Sequence, residues 1–408
     1  MPTNTNIRLA GAELDYTRYF RVAGVGANNV PILGSPLNFA TAQPCPDTQV
    51  RNCELISDGN PTPTVATVAK DLKPQSRDEF ILGYEQRLGD RWKIGAFGTY
   101  RKLNESLEDA AIDAAVLNYC QQQNVAGCGS IWTGFHQYVL VNPGSAARIT
   151  LSDPINGETT LRTVDFTAAQ LGYPKAKSEY KAVTLTVERE FDGVWSLNAN
   201  YTYAKNIGNI EGGIRSDNGQ SDSGLTTAFD QPGLTLGTYG YLPTDIRHNL
   251  KIYGSYKIAD WFTLGANVIA QSPRHYGCIG RVPSRIDRFA GAYGAAGFFC
   301  NVVNGQIVTD PAAGSGTPPQ SNLRLTPRGS VFAGDWLTQT NLTMAFTLPA
   351  ELYKATLRVD VFNVFAEKAR IKFQENGTQG NGNPRGDYRY PVSYQAPRFI
   401  RMQLGFDF

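Results

Sequence analysis

Six cysteines are the residues best suited to covalent chemistry, and they fall as three local pairs. Each pair lies within one connecting segment that is rich in Gly, Pro or Asn: Cys45 with Cys53, Cys120 with Cys128, and Cys278 with Cys300. Even, locally paired cysteines in polar segments predict disulfides and an oxidising compartment. Free thiols and a zinc site are the alternatives. Zinc is disfavoured because the pairs lack the short Cys-x₂₋₄-Cys spacing and because the histidines do not cluster around them.

Acidic and histidine side chains in the connecting segments are the next candidates. Glu211, Asp217 and Asp222 could coordinate calcium, but they lack the regular spacing of a calcium loop, and a solvated loop is favoured. His136 and His275 each lie beside an aromatic residue, and both ligand contact and a surface position without a role remain open. The sequence contains no nucleophile elbow, P-loop or paired metal-ligand motif. It therefore predicts no enzyme, no cofactor and no metal site.

Composition restricts the class of protein. The mean hydropathy is −0.30, and no apolar run approaches the roughly 18–20 residues of a membrane helix, which excludes a helical membrane protein. Membrane β-strands need only about 9–11 alternating residues. Charged residues make up only 18% of the 408 residues, while aromatic residues reach 11%, a balance typical of strands and loops. A net charge of +2 gives no reason to expect nucleic acid as a partner.

Segments with apolar side chains at every second position occur in pairs joined by very short turns. Such alternation gives a strand one apolar face and one polar face. The pairs cover about residues 79–85 with 92–101, 183–188 with 195–203, 249–258 with 262–270, and 339–348 with 355–361. Gly-Asp, Asp-Gly, Ala-Asp and Pro-Ala joints connect them, as in β-hairpins.

A ninth strand with very regular alternation ends the chain. Its apolar positions are Ile400, Met402, Leu404, Phe406 and Phe408. A soluble strand can show this pattern, but a terminal aromatic residue on an alternating strand is the assembly signal typical of bacterial outer-membrane β-barrels. We therefore expect the apolar face to contact outer-membrane lipid and the polar face to line a watery lumen. We also expect Phe408 to be available to the barrel-assembly machinery.

Long connecting segments separate the hairpins, at about 102–178, 206–246, 272–335 and 366–396. Loops beyond about 12–15 residues are uncommon in compact soluble domains. Outer-membrane barrels, by contrast, combine short periplasmic turns with long extracellular loops. If the short turns face the periplasm and the long segments face outward, all three cysteine pairs lie on the extracellular side.

Tryptophans follow three of the short turns: Trp92, Trp195 and Trp261. An aromatic girdle at the periplasmic interface would place them there. Core packing is the alternative, and their shared position relative to the turns favours the girdle.

The sequence predicts two regions. Residues 1–74 form a loop-rich segment, the end of a preceding outer loop, in which one short strand can form over Leu14–Val22. Residues 75–408 form part of an antiparallel transmembrane β-barrel of nine to ten strands. Met1–Ala10 has neither the basic nor the apolar region of an export signal, so either this is a mature or shortened chain or the export hypothesis fails.

Four strings resemble the C-terminal half of a TonB-dependent outer-membrane receptor, in particular its Oar-like branch. They are LKPQSRDEFILGYE at Leu72–Glu85, LPTDIRHNL at Leu242–Leu250, RVDVFNVF at Arg358–Phe365 and YPVSYQAPRF at Tyr390–Phe399. Each string is modest alone, but their order across residues 72–408 is fairly specific. The resemblance implies the outer membrane of a Gram-negative bacterium and energised uptake of a scarce small ligand.

The sequence also departs from that family. Its members carry an N-terminal plug domain, a TonB-contacting motif and about 22 strands, whereas about nine strands and neither of the other features are found here. The resemblance therefore implies a fragment that lacks the plug, that would reach TonB only through that missing plug, and that cannot transport alone. An incomplete barrel would expose two strand edges to lipid, which leaves backbone groups unsatisfied.

Two other hypotheses stay open. One is a small, complete outer-membrane barrel or surface adhesin with disulfide-clamped loops, which predicts an authentic start at Met1 and a heat-modifiable monomer. The other is a secreted β-sandwich enzyme, which predicts solubility without detergent.

Overall fold

The computed structural model describes residues 14–18, 20–25, 31–36, 53–58, 64–219, 226–348 and 354–407. The chain forms two compact units. The first unit comprises Met1–Leu72, Glu108–Val141 and Ser145–Leu171, and the second comprises Lys73–Leu107, Asn142–Gly144 and Gly172–Phe408. Among the described residues, no helix is long and apolar enough to span a membrane.

In the described part of the second unit, nine long antiparallel strands form one sheet. They are β1 (Ser76–Leu88), β2 (Trp92–Glu105), β3 (Ser178–Arg189), β4 (Trp195–Gly208), β5 (His248–Ala259), β6 (Phe262–Gln271), β7 (Leu337–Leu348), β8 (Lys354–Phe362) and β9 (Phe399–Asp407). Each strand pairs with the next one in sequence order. The two-residue strand Gly240–Tyr241 pairs with β4 and is the tenth. The prediction of an antiparallel all-β protein with nine to ten strands is confirmed.

The register of the ladders separates two faces of the sheet, because residues directly opposite each other project to the same side. One row on the apolar face runs through Leu197, Gly254, Ala266, Leu342, Val361 and Ile400. The neighbouring row on the polar face runs through Ser196, Ser255, Gly265, Thr343, Asp360 and Arg401. A register error of one residue in any ladder would exchange the two faces of that strand.

Large apolar side chains are exposed on the apolar face. On β9, for example, Met402 is 72% exposed and Leu404 is 58% exposed. A contiguous apolar surface of this kind is unfavourable in water and suits contact with lipid.

Short turns join the strands within each described hairpin. Gly89, between β1 and β2, has φ +65°, and Gly193, between β3 and β4, has φ +96°, which glycine adopts without steric cost. Asp192 accepts hydrogen bonds from the backbone N–H groups of Val194 (2.9 Å) and Trp195 (3.0 Å). These hydrogen bonds stabilise the connection between β3 and β4 at Asp192-Gly193. The predicted turn near residues 349–350 lies outside the described residues.

The long segments of the second unit have their own small elements. Their strands pair as His275–Tyr276 with Phe332–Ala333, Phe299–Val303 with Gln306–Ile307 and Leu323–Leu325, and Arg370–Phe373 with Pro391–Tyr394. Their helices are Arg288–Ala292 and the 3₁₀ turns Ser216–Asn218, Pro232–Thr235 and Pro311–Ala313. Leu234, Val282 and Phe299 are buried together in one apolar core. These segments are therefore folded structures.

The first unit is mixed in character. Glu108–Ala111 pairs with Tyr138–Val141, and Ala147–Thr150 pairs with Thr163–Phe166; the helices are Thr64–Ala66 (3₁₀), Asp113–Gln122, Cys128–Ile131 and Ala168–Leu171. The buried carboxylate of Asp113 accepts backbone hydrogen bonds from Gly134 (2.8 Å), His136 (2.9 Å) and Gln137 (3.1 Å). A buried carboxylate thus ties the helix to the segment that leads into the strand Tyr138–Val141.

The described part of the first 74 residues contains four short strands, where the sequence predicts at most one. Leu14–Arg18 pairs with Cys53–Asp58, and Phe20–Val25 pairs with Pro31–Pro36. The predicted strand over Leu14–Val22 falls on two described strands, Leu14–Arg18 and Phe20–Val25, and residue 19 lies outside the described residues. The pairing escaped the sequence pattern because these strands are only five or six residues long and their ladders are irregular.

Candidate functional site

The polar face of the sheet carries paired charges near both of its edges. Near one edge, Lys93 lies between Glu85 (3.4 Å) and Glu188 (3.2 Å). Glu79 pairs with Arg101 across β1 and β2. These charges sit on adjacent strands and are partly exposed, as expected for a surface in contact with water.

A second charged group lies at the other edge of the polar face. Asp360 of β8 accepts hydrogen bonds from Thr343 (2.6 Å), Arg358 (2.9 Å) and Arg401 (2.7 Å). Its side chain is 3% exposed, whereas those of the two arginines are about half exposed. The buried carboxylate therefore positions two guanidinium groups that remain accessible to an anionic solute.

The string RVDVFNVF owes its pattern to this arrangement and to the strand end that follows it. Asn363 adopts a positive φ of 51°, and its side-chain amide donates to the carbonyl oxygens of Glu367 (2.9 Å) and Ala396 (3.0 Å). Its backbone N–H donates to Asn341 of β7 at 2.9 Å. Asn363 therefore ends β8 and ties its connection to the neighbouring strands, which Asn does readily because its amide bonds locally.

The string LPTDIRHNL has an analogous physical basis. The buried carboxylate of Asp245 accepts from the backbone N–H of Asn206 at 2.6 Å and lies 3.5 Å from the guanidinium of Arg247. His248 begins β5, and its Nδ1 lies 2.7 Å from the Tyr201 hydroxyl. The string thus fixes the entry of the chain into the sheet.

A buried ion cluster joins the long segments of the second unit. Asp217 lies 2.8 Å from the guanidinium of Arg215 and 3.2 Å from that of Arg328, and all three side chains are at most 4% exposed. Burial opposes ionisation of Asp217, but Arg328 and Arg215 outweigh it and hold the carboxyl pKa below its ordinary value. These residues come from segments more than 100 positions apart in the chain, so no local sequence signal marks them.

Glu375 extends this cluster through Arg274, whose guanidinium lies 2.5 Å from the Glu375 carboxylate. Burial raises the pKa of Glu375 to about 7, although the charge of Arg274 acts in the opposite direction. Glu375 also accepts a hydrogen bond from the backbone N–H of Gly277 at 3.1 Å. The protonation state of this carboxyl group is thus sensitive to pH near neutrality.

The expectation of a solvated acidic loop is wrong for Asp217, because its carboxylate is 1% exposed between two arginines. Glu211 accepts hydrogen bonds from the backbone N–H and hydroxyl of Ser216 at 3.1 and 2.6 Å. Asp222 lies outside the described residues. Within the described part of the chain, no cluster of His, Cys, Asp or Glu is arranged to hold a metal ion.

Both candidate histidines have partners within the protein. His136 Nε2 lies 2.5 Å from Asp153, and its imidazole contacts Trp132 edge-on. The His136 hydrogen bond lowers the pKa of Asp153. His275 stacks on Tyr241 with 4.5 Å between ring centroids and lies 3.8 Å from Asp245.

Among the described cysteines, two disulfides form, Cys120–Cys128 and Cys278–Cys300, in agreement with the predicted pairing. The second is buried beside Tyr388, whose hydroxyl donates to the Gly277 carbonyl at 2.8 Å. A Cβ on Gly377 would lie 2.1 Å from Cys278 Sγ, so this position has room only for glycine. Cys45 and the side chain of Cys53 lie outside the described residues, and that pair stays a prediction.

The predicted tryptophans lie at the short-turn end of the sheet. The rings of Trp92 and Trp195 are 5.8 Å apart, with the Arg189 guanidinium 3.8 Å from the Trp195 ring. Trp261 stacks on Phe346 at 6.2 Å. A role for these residues at the membrane interface stays a prediction. Of the predicted assembly signal, Ile400, Met402, Leu404 and Phe406 are exposed on the apolar face, and Phe408 lies outside the described residues.

Comparison with known proteins identifies the sheet. Residues 5–273 match the family model described as an outer membrane beta barrel domain. The chain belongs to this family of outer-membrane β-barrels. It is 24% identical over 354 residues to the TonB-dependent transporter Oar of Myxococcus xanthus. The predicted resemblance to the Oar-like branch and the predicted location in a Gram-negative outer membrane are confirmed.

The match covers 84% of this chain but only 29% of the Oar transporter. Among solved structures, the chain is similar to the outer membrane transporter YddB of Escherichia coli, at 12% identity and a TM-score of 0.43, covering 86% of this chain and 34% of YddB. It is also similar to the ferripyoverdine receptor of Pseudomonas aeruginosa, at 13% identity and a TM-score of 0.37, covering 82% and 27%. The chain spans about a third or less of the length of each of these proteins.

Proposed function

We propose that this domain forms part of the barrel of a TonB-dependent transporter that takes up a scarce ligand across the outer membrane. The observation that carries the proposal is the polar face, on which buried or paired carboxylates hold accessible charges on adjacent strands near both edges of the sheet. A face of this composition suits a water-filled path beside a lipid-facing apolar surface. The similarity to the Oar transporter supports the energised mechanism.

Further strands complete this barrel, in our proposal. Among the described residues, β1 pairs only with β2 and β9 only with β8, so each presents one edge of the sheet. Backbone groups on a lipid-exposed edge cost several kcal/mol each when unsatisfied. We therefore assign transport to the barrel with its additional strands and its plug, and not to these nine strands alone.

The long segments of the second unit capture the ligand in this proposal. They are held by the ion cluster of Arg215, Asp217 and Arg328 and by the Cys278–Cys300 disulfide. Prearranged loops bind more tightly than flexible ones because less conformational freedom is lost on binding.

The experiment uses the full-length parent gene in its native strain. A clean deletion is grown with one limiting nutrient at a time: ferric siderophores, cobalamin, and oligopeptides as sole amino-acid source. Loss of growth on at least one nutrient, with the same loss after deletion of the strain's TonB, is expected. A growth defect that persists without any dependence on TonB contradicts the proposal, and so does a defect confined to surface adhesion.

A double variant and a control variant test whether uptake depends on the charges of the polar face. Arg358→Gln together with Arg401→Gln removes the two accessible guanidinium groups beside Asp360 and is expected to lower uptake severalfold. The matched control is Leu357→Ile on the apolar face of the same strand, which keeps the polar face unchanged and should leave uptake as it is.

A further inference from the structure

A groove crosses the apolar face of β1 to β4 near the ends that lead into the long segments. Its volume is about 670 Å³, within the range of small-molecule sites. Gly98 leaves the middle of the groove open, and Phe80, Leu82 and Val183 line it. The polar face and its charges lie on the opposite side of the sheet, so this groove is distinct from the path proposed for transport.

Two lysines close one end of this groove. Lys181 of β3 and Lys205 of β4 are directly opposite each other in the ladder. Like charges in opposite positions destabilise a sheet unless an anion lies between them. Lys181 pairs with Glu179 and lies 5.6 Å from the ring centroid of Tyr100. Within the described residues Lys205 has no carboxylate partner, so the pair carries excess positive charge.

The distance of the two lysines from the short-turn end of the sheet places them near the edge of the bilayer's apolar region. In the ladder between β2 and β3, Trp92 pairs with Arg189 and Tyr100 pairs with Lys181, eight positions further along (189 − 181). At about 3.4 Å per residue this is about 27 Å along the strand. With a strand tilt of about 40°, it corresponds to about 21 Å across the membrane, close to the height of the apolar band.

We propose that this groove binds a phosphorylated lipid of the extracellular leaflet, with lipid A of lipopolysaccharide as the occupant. An acyl chain would lie along Phe80, Leu82 and Val183, and a phosphate would bridge the ammonium groups of Lys181 and Lys205. The apolar groove and the two cations match the two halves of such a molecule. A zwitterionic phospholipid has no net charge to offset the lysine pair, and a free phosphate does not fill the apolar groove.

The test uses the full-length protein, purified in a mild non-ionic detergent and stripped of lipid. Binding of bisphosphorylated lipid A, of enzymatically dephosphorylated lipid A and of phosphatidylethanolamine is titrated by native mass spectrometry. Lys181→Gln with Lys205→Gln is expected to weaken binding of bisphosphorylated lipid A by about fivefold per lysine. Binding of the other two lipids should not change, and added salt should reduce the difference.

A second variant and a control separate this site from general charge effects. Gly98→Leu fills the groove while keeping both lysines, and a Cβ at Gly98 meets its nearest atom only at 3.9 Å. It should weaken binding of both forms of lipid A. Lys251→Gln removes a lysine from the polar face and should have no effect. The proposal is overturned if the double lysine variant binds as the wild type does, or if Lys251→Gln weakens binding equally.

Discussion

Replacing Asp217 by Asn should loosen the long segments of the second unit without disturbing the sheet. Asp217 and Arg215 side chains are each 1% exposed and Arg328 is 4% exposed, so the variant leaves two buried guanidinium groups with an amide in place of their shared carboxylate. Removing one partner of a buried ion pair costs about 3–5 kcal/mol. The structure therefore predicts that local opening of these segments increases by about 10²- to 10⁴-fold.

Hydrogen–deuterium exchange of the full-length protein in detergent measures this opening. Peptides from residues 226–246 and 272–335 should lose protection in Asp217→Asn, while peptides from β5 and β6 should keep it. The matched control is Asp387→Asn, which removes the partner of Arg385 from an exposed pair. Exposed pairs contribute about 0–1 kcal/mol, so its exchange should change by less than about fivefold.

A triple variant distinguishes unpaired charge from lost packing. Asp217→Leu with Arg215→Met and Arg328→Met replaces the cluster with apolar side chains, which is often neutral or stabilising in buried ion clusters. Most of the lost protection should return. Unchanged exchange in Asp217→Asn would refute the reasoning, because the cluster would then not hold these segments together.

Three further predictions follow from individual residues. Gly377→Ala should destabilise the apolar core around the Cys278–Cys300 disulfide by about 1–3 kcal/mol, because a Cβ has no room beside Cys278 Sγ. Faster proteolysis of the long segments checks this prediction, and Gly380→Ala, where a Cβ meets no atom within 4 Å, is the control. Because the folded-state pKa of Glu375 is raised, the long segments should lose stability as the pH rises from about 4.5 to 7. Hydrogen–deuterium exchange measured at a series of pH values checks this, and Glu375→Gln should make the stability less dependent on pH. The same pH dependence in Glu375→Gln as in the wild type would contradict the prediction. Deletion of Phe408 from the full-length parent should impair outer-membrane assembly, and normal assembly would contradict the predicted signal.

The strands could be predicted because each carries its own signal. On β9, Ile400, Met402 and Leu404 repeat at the period of a strand, and the structure places all three on the apolar face. The turns at Gly89 and Gly193 could also be predicted, because Gly next to Asp between two alternating segments is typical of a β-hairpin turn. The alternation of apolar residues and the turn residues between the strands were therefore enough to predict the architecture and the family.

The sites could not be predicted because they depend on contacts between distant residues. Asp217 and Arg328 meet only after two segments fold together, and their residue types alone resemble those of a solvated loop. The lysine pair of the groove depends on the register between β3 and β4, since a shift of one residue would place Lys205 on the polar face. The short strands before residue 74 lack both length and regular alternation.

The central claim is that one face of this sheet contacts lipid and the other contacts water. Spin labels placed one at a time at positions 400–406 of the full-length protein in liposomes test it most directly. Collision rates with oxygen should be high at even positions, and those with a water-soluble nickel chelate should be high at odd positions. Equal access of the chelate to all seven positions, or no alternation, would contradict the account.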